Sequence, residues 1–164
     1  MASPTAILVD TNVWLDYFMG GRSGHDDALN FINAAIEHDV CLLHASLSAK
    51  DLYYLVSSGL KRACRQQNGG LLTEAAAATA RETAWACLES MSNLSASVGC
   101  DQSDIWVAEK QRDVHDDFED DLIIATAMRS NADLLVTNDE KLLLHCSVAA
   151  LCSADAVKLL SRQD

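Results

Sequence analysis

Short apolar segments that alternate with helical segments constrain the fold of this chain most strongly. Residues 6–9, Ala-Ile-Leu-Val, are apolar at every position, and their length and β-branching predict a buried strand. Such a strand is typical of a parallel sheet that helices cover on both faces. Further strands are predicted at 40–43, 94–98, 133–137 and 147–151, and helices at 26–38, 48–60, 73–91, 103–110, 118–129, 140–144 and 153–160. This alternation favours an α/β sandwich around a mostly parallel sheet.

Length and composition favour one domain over residues 1–164. The chain is 49% apolar and shows no internal repeat or linker, and it is long enough to bury a core without staples. Its first five residues, Met-Ala-Ser-Pro-Thr, lack the basic and apolar stretches of a signal peptide, and no apolar run is long enough to cross a bilayer. We therefore expect a soluble, cytoplasmic protein.

Cysteine and histidine give no sign of a zinc site. The sequence has no C-x-x-C pair and no histidine at a zinc-finger offset. Because cytosolic thiols stay reduced, we expect the cysteines to be small buried hydrophobes: Cys41, Cys64, Cys87, Cys100, Cys146 and Cys152. The histidines are scattered and suggest no metal pair: His25, His38, His44, His115 and His145.

The net charge of −12 argues against a nucleic-acid partner, because contacts to phosphate need lysine and arginine. Two features can overcome this obstacle. A divalent metal can neutralise acids gathered in one site, and a local basic cluster can hold a strand. Lys61, Arg62 and Arg65 form the only dense basic cluster in the sequence, which is either an RNA-binding patch or a solvated helix face.

Four aspartates lie just after predicted strands or in the first turn of predicted helices. Asp10 comes directly after the first strand, and Asp139 comes two residues after the strand that ends at Thr137. Asp51 and Asp120 each lie in the first turn of a predicted helix. The carboxyl ends of parallel strands share one edge, where ligands bind, and converging carboxylates repel one another unless a cation lies among them. Carboxylate oxygens suit Mg²⁺ or Mn²⁺, which can activate water for attack at phosphorus.

Each acid also has a purely structural interpretation. Asp10 can start a turn after a strand, and so can the pair 138–139, Asn-Asp. Ser48-x-x-Asp51 is also a variant capping box. The acids within 117–120 favour a helix N-terminus through the helix dipole. Three aromatic residues are expected to be core or dimer contacts rather than platforms for base stacking: Trp14, Tyr17 and Phe18.

Three segments resemble the motifs of PIN domains, the nuclease fold of VapC-type toxins. They are 7–16 (Ile-Leu-Val-Asp-Thr-Asn-Val-Trp-Leu-Asp), 117–127 (Asp-Phe-Glu-Asp-Asp-Leu-Ile-Ile-Ala-Thr-Ala) and 134–139 (Leu-Leu-Val-Thr-Asn-Asp). Residues 153–160 are similar to the last helix of the family, so the resemblance covers nearly the whole chain in the expected order. It implies a three-layer α/β/α sandwich, a divalent-metal site and cleavage of single-stranded RNA.

Carried over by position, the resemblance implies metal binding by Asp10, Asp120 and Asp139, with Asp10 and Asp120 the most direct ligands. Asp120 is chosen by aligning the apolar helix 122–127 with that of the family, from a crowded set: Asp116, Asp117, Glu119, Asp120 and Asp121. The family usually has Glu as the second acid, whereas Asp51 is one methylene shorter and would reach metal through water. Supporting hydrogen bonds are implied for Asn12, Thr137 and Asn138, and Asp117 could share the helix face of Asp120.

The expected function is that of a Mg²⁺- or Mn²⁺-dependent endoribonuclease, the toxin of a type II toxin–antitoxin pair. Its catalytic residues would be Asp10, Asp51, Asp120 and Asp139. The resemblance also suggests a homodimer, and a cognate antitoxin whose Arg or Lys covers the acidic edge. Two alternatives stay open. The acidic balance and the short Asp51 are compatible with a PIN-like binding module without catalysis, and the acids would also suit a metal-dependent phosphatase.

Overall fold

The computed structural model describes residues 4–112 and 117–163, and its strands in these ranges form one five-stranded sheet. The strands are β1 (Ala6–Val9), β2 (Cys41–Ala45), β3 (Ala96–Val98), β4 (Leu134–Val136) and β5 (Ala150–Leu151). Their order is β3-β2-β1-β4-β5, and each neighbouring pair is parallel. The predicted parallel sheet is therefore confirmed, with β1 at its centre.

Helices cover both faces of this sheet. They are α1 (Thr11–Phe18), α2 (His25–Glu37), α3 (Ser46–Gln67), α4 (Glu74–Leu94), α5 (Gln102–Gln111), α6 (Phe118–Arg129), α7 (Glu140–His145) and α8 (Ser153–Leu160), followed by a short 3₁₀ turn. Ile7 and Val9 of β1 pack into a core with α1–α4 and α8, whereas Leu8 packs into a second core with α6 and α7. Since successive strand residues point to opposite faces, this division produces the α/β/α sandwich.

All the predicted strands and helices form, although α3 extends to Gln67 rather than to residue 60. The predicted helix 118–129 is α6 itself, but no helix was predicted over 11–18, where α1 forms. Helix α1 is mostly buried and only eight residues long, so helical periodicity is a weak signal in its sequence. Helical spacing in the sequence predicts Leu29, Ile32, Ala35 and Ile36 on the inner face of α2. Ile32 and Ala35 are buried there, but Leu29 and Ile36 are exposed, and Ala28 and Phe31 are buried instead.

The prediction that the cysteines are buried is wrong. All six cysteines are free thiols, but Cys41 is exposed and the other five are only half-buried. Cys41 begins β2, where the strand emerges at the surface, and Cys87 and Cys146 pack only against the margins of the two cores. Over the described ranges, no helix combines the length and the apolar character needed to span a membrane.

Candidate functional site at the carboxyl edge of the sheet

The carboxyl ends of β1 and β4 bring two distant residues together. The strands are paired with Val9 opposite Val136, and the Asp10 N–H donates to the Val136 carbonyl at 2.9 Å. The next residue of β4's chain, Thr137, is fully buried and its Oγ1 donates to Asp10 Oδ2 at 2.7 Å. Parallel pairing of adjacent strands therefore builds the centre of this edge, as the sequence predicts.

Asp10 accepts hydrogen bonds on both carboxylate oxygens. Its Oδ1 accepts from the Thr11 N–H at 2.6 Å, and its Oδ2 also accepts from Asn12 Nδ2 at 2.6 Å. Asn12 Nδ2 donates to Thr137 Oγ1 as well, at 2.9 Å. Asp10 is at the same time the N-cap of α1, so the turn interpretation holds alongside the predicted site.

Asp139 joins this group through Thr137. Its N–H donates to Thr137 Oγ1 at 3.1 Å, and its Oδ1 caps α7 by accepting from the N–H groups of Lys141 and Leu142 at 2.8 and 3.2 Å. We call Asp10, Asn12, Thr137 and Asp139 the inner half of the site. Each of its members is hydrogen-bonded to another member, so its geometry is fixed before any ligand binds.

Four acids from α3 and α6 form what we call the outer half: Asp51, Asp117, Glu119 and Asp120. Asp117 is the N-cap of α6 and accepts from the N–H groups of Glu119 and Asp120 at 3.0 and 3.4 Å. The helix-dipole interpretation therefore holds for Asp117, Glu119 and Asp120, which lie at the N-terminal end of α6. Within 4–112 and 117–163, the Asp120 carboxylate accepts no hydrogen bond. It interacts electrostatically with Asp10 and Asp139 of the inner half.

The structure corrects two expectations for Asp51. Helix α3 begins at Ser46 after the N-cap Ala45, so Asp51 lies in the second turn and Ser48 is inside the helix. The capping-box interpretation is therefore wrong. Asp51 pairs with Lys50, Nζ to Oδ1 at 3.0 Å, and interacts electrostatically with Glu119.

Burial and like charge raise the pKa values of Asp10, Asp120 and Glu119. Burial raises the pKa of Asp10 to about 6 against the opposing hydrogen bonds from Thr137 and Thr11, and the charges of Glu119 and Asp139 add to the rise. The pKa of Asp120 also rises to about 6, first through burial and then through its acidic neighbours Asp117, Asp10, Asp139 and Glu119. The pKa of Glu119 is raised by burial and by Asp51 and Asp117. Mutual repulsion thus links the inner and outer halves.

This donor set fits a hard divalent cation in its chemistry. Carboxylate oxygens are the ligands that Mg²⁺ and Mn²⁺ prefer, and a cation would relieve the repulsion that raises these pKa values. In the placement observed, however, no three His, Cys, Asp or Glu side chains of the described residues stand close enough to hold one ion together. Two carboxylates could still hold an ion whose remaining positions are filled by water, because Mg²⁺ usually keeps several of its waters.

The basic cluster lies apart from the acids. Lys61, Arg62 and Arg65 belong to the same helix as Asp51, but a rise of 1.5 Å per residue places Lys61 about 15 Å further along its axis. Arg62 and Arg65 are exposed and Lys61 is half-buried, as on a solvated helix face. Trp14 is fully buried, and Tyr17 and Phe18 pack against the same core, as expected for core contacts.

Two residues with close ties to the site were not among the predicted site residues. Glu119 raises the pKa of both Asp10 and Asp120. Asp16 is buried and accepts from Asn138 Nδ2 at 2.8 Å. The signal for Asp16 is its spacing: on a helix, Asn12 and Asp16 share one face. His115 and Asp116, which were named above from the sequence, lie outside the described residues.

Comparison with known proteins agrees with this fold. A chain of the VapBC2 structure from Rickettsia felis, bound to a promoter DNA fragment, superposes with a TM-score of 0.61 at 14% identity, covering 90% of this chain and 98% of the other. A chain of FitAB bound to an IR36 DNA fragment gives 0.62 at 17% identity, covering 90% and 95%. No curated protein matches the sequence significantly. The family model described as PIN domain matches residues 6–141, and the chain therefore belongs to the PIN domain family.

Proposed function

We propose that the protein is a Mg²⁺- or Mn²⁺-dependent endoribonuclease that cleaves single-stranded RNA. The observation that carries this proposal is the acidic edge, where the carboxylates of Asp10, Asp120 and Asp139 repel one another. Hydrogen bonds within the inner half hold Asp10 in place there. Asp10 and Asp120 would hold the metal most directly, with Asp139 beside them. When bound, the metal would lower the pKa of water and stabilise the charge that develops on the phosphate.

The chain's own residues would orient the reaction. Thr137 and Asn12 hold the Asp10 carboxylate in one rotamer through the bonds at 2.7 and 2.6 Å. Asp139 is held by its own helix cap, leaving Oδ2 to accept a proton or orient the attacking water. Asp51, paired with Lys50, would act at longer range through water. Lys61, Arg62 and Arg65 would contact the RNA backbone away from the cleaved bond.

We also propose that the protein is the toxin of a type II toxin–antitoxin pair. Both similar structures are complexes with DNA, one of them VapBC2 on its promoter. Beside the outer half lies a cavity of about 420 Å³, lined by Leu47, Cys100, Ile105, Phe118 and Leu122 together with Asp51, Glu119 and Lys50. A basic antitoxin segment that carries an apolar side chain would suit this lining, with an Arg or Lys against the acids. Co-purification with the product of an adjacent small gene would test this partner.

A homodimer is proposed on the exposed apolar surface of α3 and α4. Tyr54 and Trp85 are each more than half exposed, and Trp85 contacts Tyr53 at 5.1 Å between ring centroids. Light scattering on the purified chain would test the dimer.

Metal titration calorimetry with RNA cleavage is the deciding experiment. Wild type should bind Mn²⁺ and cleave single-stranded RNA, and the Asp10→Asn/Asp120→Asn variant should lose both while circular dichroism shows an intact fold. Cleavage that persists in the folded double variant would remove these acids from the reaction.

A binding module without catalysis is the second candidate function. It is favoured by the lack, among residues 4–112 and 117–163, of a ready-made three-ligand cluster. Wild type that binds no metal, with or without RNA, would support this candidate. Hydrolysis of p-nitrophenyl phosphate without cleavage of RNA would instead favour a metal-dependent phosphatase.

A further inference from the structure

We propose that Asp16 is a positioning residue. Through Asn138 and Asn12, it helps to fix the orientation of the Asp10 carboxylate in the inner half. Asp16 lies on α1, one turn after Asn12, and only 5% of its surface is exposed. A carboxylate buried to this degree is retained only with strong hydrogen-bond partners. Those partners lead to Asp10.

A continuous series of hydrogen bonds connects the two aspartates. Asn138 Nδ2 donates to Asp16 Oδ2 at 2.8 Å, and the Asn138 N–H donates to Asn12 Oδ1 at 2.9 Å. Asn12 Nδ2 then donates to Asp10 Oδ2 at 2.6 Å. Asp16 therefore reaches the first candidate ligand through two asparagines, and each intermediate group has a defined partner on both sides.

The partners determine how both amides are oriented. A carboxylate only accepts, so the Asn138 atom facing Asp16 must be the NH₂ group. The Ser153 N–H only donates, and it meets Asn138 Oδ1 at 3.0 Å. In the same way, the donating Asn138 N–H requires Asn12 to present its oxygen, which turns the Asn12 NH₂ group toward Asp10. Removal of the Asp16 carboxylate would leave the Asn138 amide held on one side only.

The loop between α1 and α2 holds Asp16 in turn. Arg22 Nε donates to Asp16 Oδ1 at 2.5 Å, a charge-assisted bond. His25 Nδ1 lies 2.8 Å from the Asp16 carbonyl oxygen. Both oxygens of the buried carboxylate are thereby bonded, one to the loop and the other to Asn138.

Gly24 is required by this arrangement for its lack of a side chain. A Cβ added at Gly24 would lie 2.8 Å from Asp16 Cγ, even closer to Asp16 Oδ2, and 3.2 Å from Asn138 Nδ2. The φ of Gly24 is −86°, which any residue can adopt, so space alone demands glycine here. A Cβ added at Gly21, in the same loop, would meet nothing within 4 Å, so Gly21 serves as the matched control.

The hydrogen-bond coupling can be tested without metal. In ¹⁵N NMR spectra of the metal-free protein, the Asn12 side-chain NH₂ should be protected from hydrogen exchange in wild type. Asp16→Ala should lower this protection at least tenfold, while Asp16→Asn should keep most of it, because an amide oxygen can still accept from Asn138. Unchanged Asn12 protection in a folded Asp16→Ala variant would overturn the proposal.

The effect on the metal site rests on the proposed function and is measured separately. Loss of a group that orients a ligand typically costs 10–100-fold in metal affinity. Mn²⁺ calorimetry well below the melting temperature should show at least tenfold weaker binding for Gly24→Ala, with Gly21→Ala unchanged. Equal affinities would overturn the positioning role, even if Asp16→Ala fails to fold. If wild type binds no Mn²⁺, the proposed function fails. The hydrogen-bond coupling can then still be tested by comparing the exchange protection of the Asn12 side-chain NH₂ in Gly24→Ala, where it should fall, with that in Gly21→Ala, where it should not.

Discussion

The inner and outer halves of the acidic edge contrast in how their acids are held. In the inner half, Asp10 accepts three hydrogen bonds from groups on α1 and the end of β4. In the outer half, Asp120 accepts none within the described residues, and its pKa is set by burial and four neighbouring acids. Hydrogen bonds therefore fix the orientation of the Asp10 carboxylate in the inner half. In the outer half, burial and neighbouring charges dominate the environment of Asp120.

This contrast bears on how such a site would work. Hydrogen bonds hold the Asp10 carboxylate in one orientation, so little entropy is lost when it binds a cation. No hydrogen bond among the described residues holds the Asp120 carboxylate, at the N-terminal end of α6, in one orientation. The two halves should therefore respond differently to mutation, to pH and to salt.

The largest expected effect separates Asp10 from Asp51. Asp10→Ala should lower RNA cleavage more than 100-fold, because changes behind a ligand already cost 10–100-fold and Asp10 is a proposed ligand. Asp51→Ala should cost about tenfold or less, since Asp51 is paired with Lys50 and its proposed action is at longer range, through water. Initial rates at saturating Mn²⁺ measure both. Similar losses in the two variants would erase the distinction between the halves.

Thr137→Val tests the rigidity of the inner half. It removes a hydroxyl that donates to Asp10 and accepts from Asn12 Nδ2 and the Asp139 N–H. We expect the free energy of unfolding to fall by about 2 kcal/mol, because buried partners lose their bonds. Urea unfolding measures this, with Thr79→Val on the exposed face of α4 as the matched control, where the change should stay within about 0.5 kcal/mol. A loss of unfolding free energy no larger than that of Thr79→Val would show that the hydrogen bonds of Thr137 do not hold the inner half rigid.

Asp120→Asn tests the repulsion in the outer half. Since its pKa is raised from 3.8 to about 6, the carboxylate has no effect on stability below pH 3.8, where both states are protonated, and its destabilising effect grows as pH rises to about 6 and is complete above that. The variant should therefore be more stable by about 1 kcal/mol at pH 7.5, after allowance for solvent screening, and equal to wild type at pH 3.5. Thermal unfolding at the two pH values measures this. A variant less stable than wild type at pH 7.5 would contradict the predicted stabilisation.

The smallest effect is expected at the basic cluster, remote from both halves. Replacing Lys61, Arg62 and Arg65 by Gln should leave the cleavage rate of bound RNA unchanged. If all three contact phosphates, the slope of log affinity against log salt should fall by about 2, at 0.7 per contact on a single strand. RNA binding with Ca²⁺ in place of Mn²⁺, across a salt series, measures this slope. An unchanged slope would assign the cluster to a solvated helix face.

Much of this fold and site could be predicted because the informative signals are local. The apolar run 6–9 predicts a buried strand, and an acid directly after it predicts a place at the carboxyl edge. Helix α6 was predicted with its observed bounds because acids gather at its N-terminus, where Asp117 caps it, and the apolar run 122–127 follows them. The start of α3 was missed by two residues because Ala45, which precedes it, has no capping side chain to signal the boundary.

The sequence by itself determined the class of fold, the parallel sheet and the placement of Asp10, Asp120 and Asp139 after strands or at helix starts. Those features depend on residues within a few positions of one another. Only the tertiary structure decided that Asp16 bonds Asn138, 122 residues away, and that Asp51 faces Glu119 rather than capping its own helix. Such partners are set by which strands and helices become neighbours, so no local pattern in the chain specifies them.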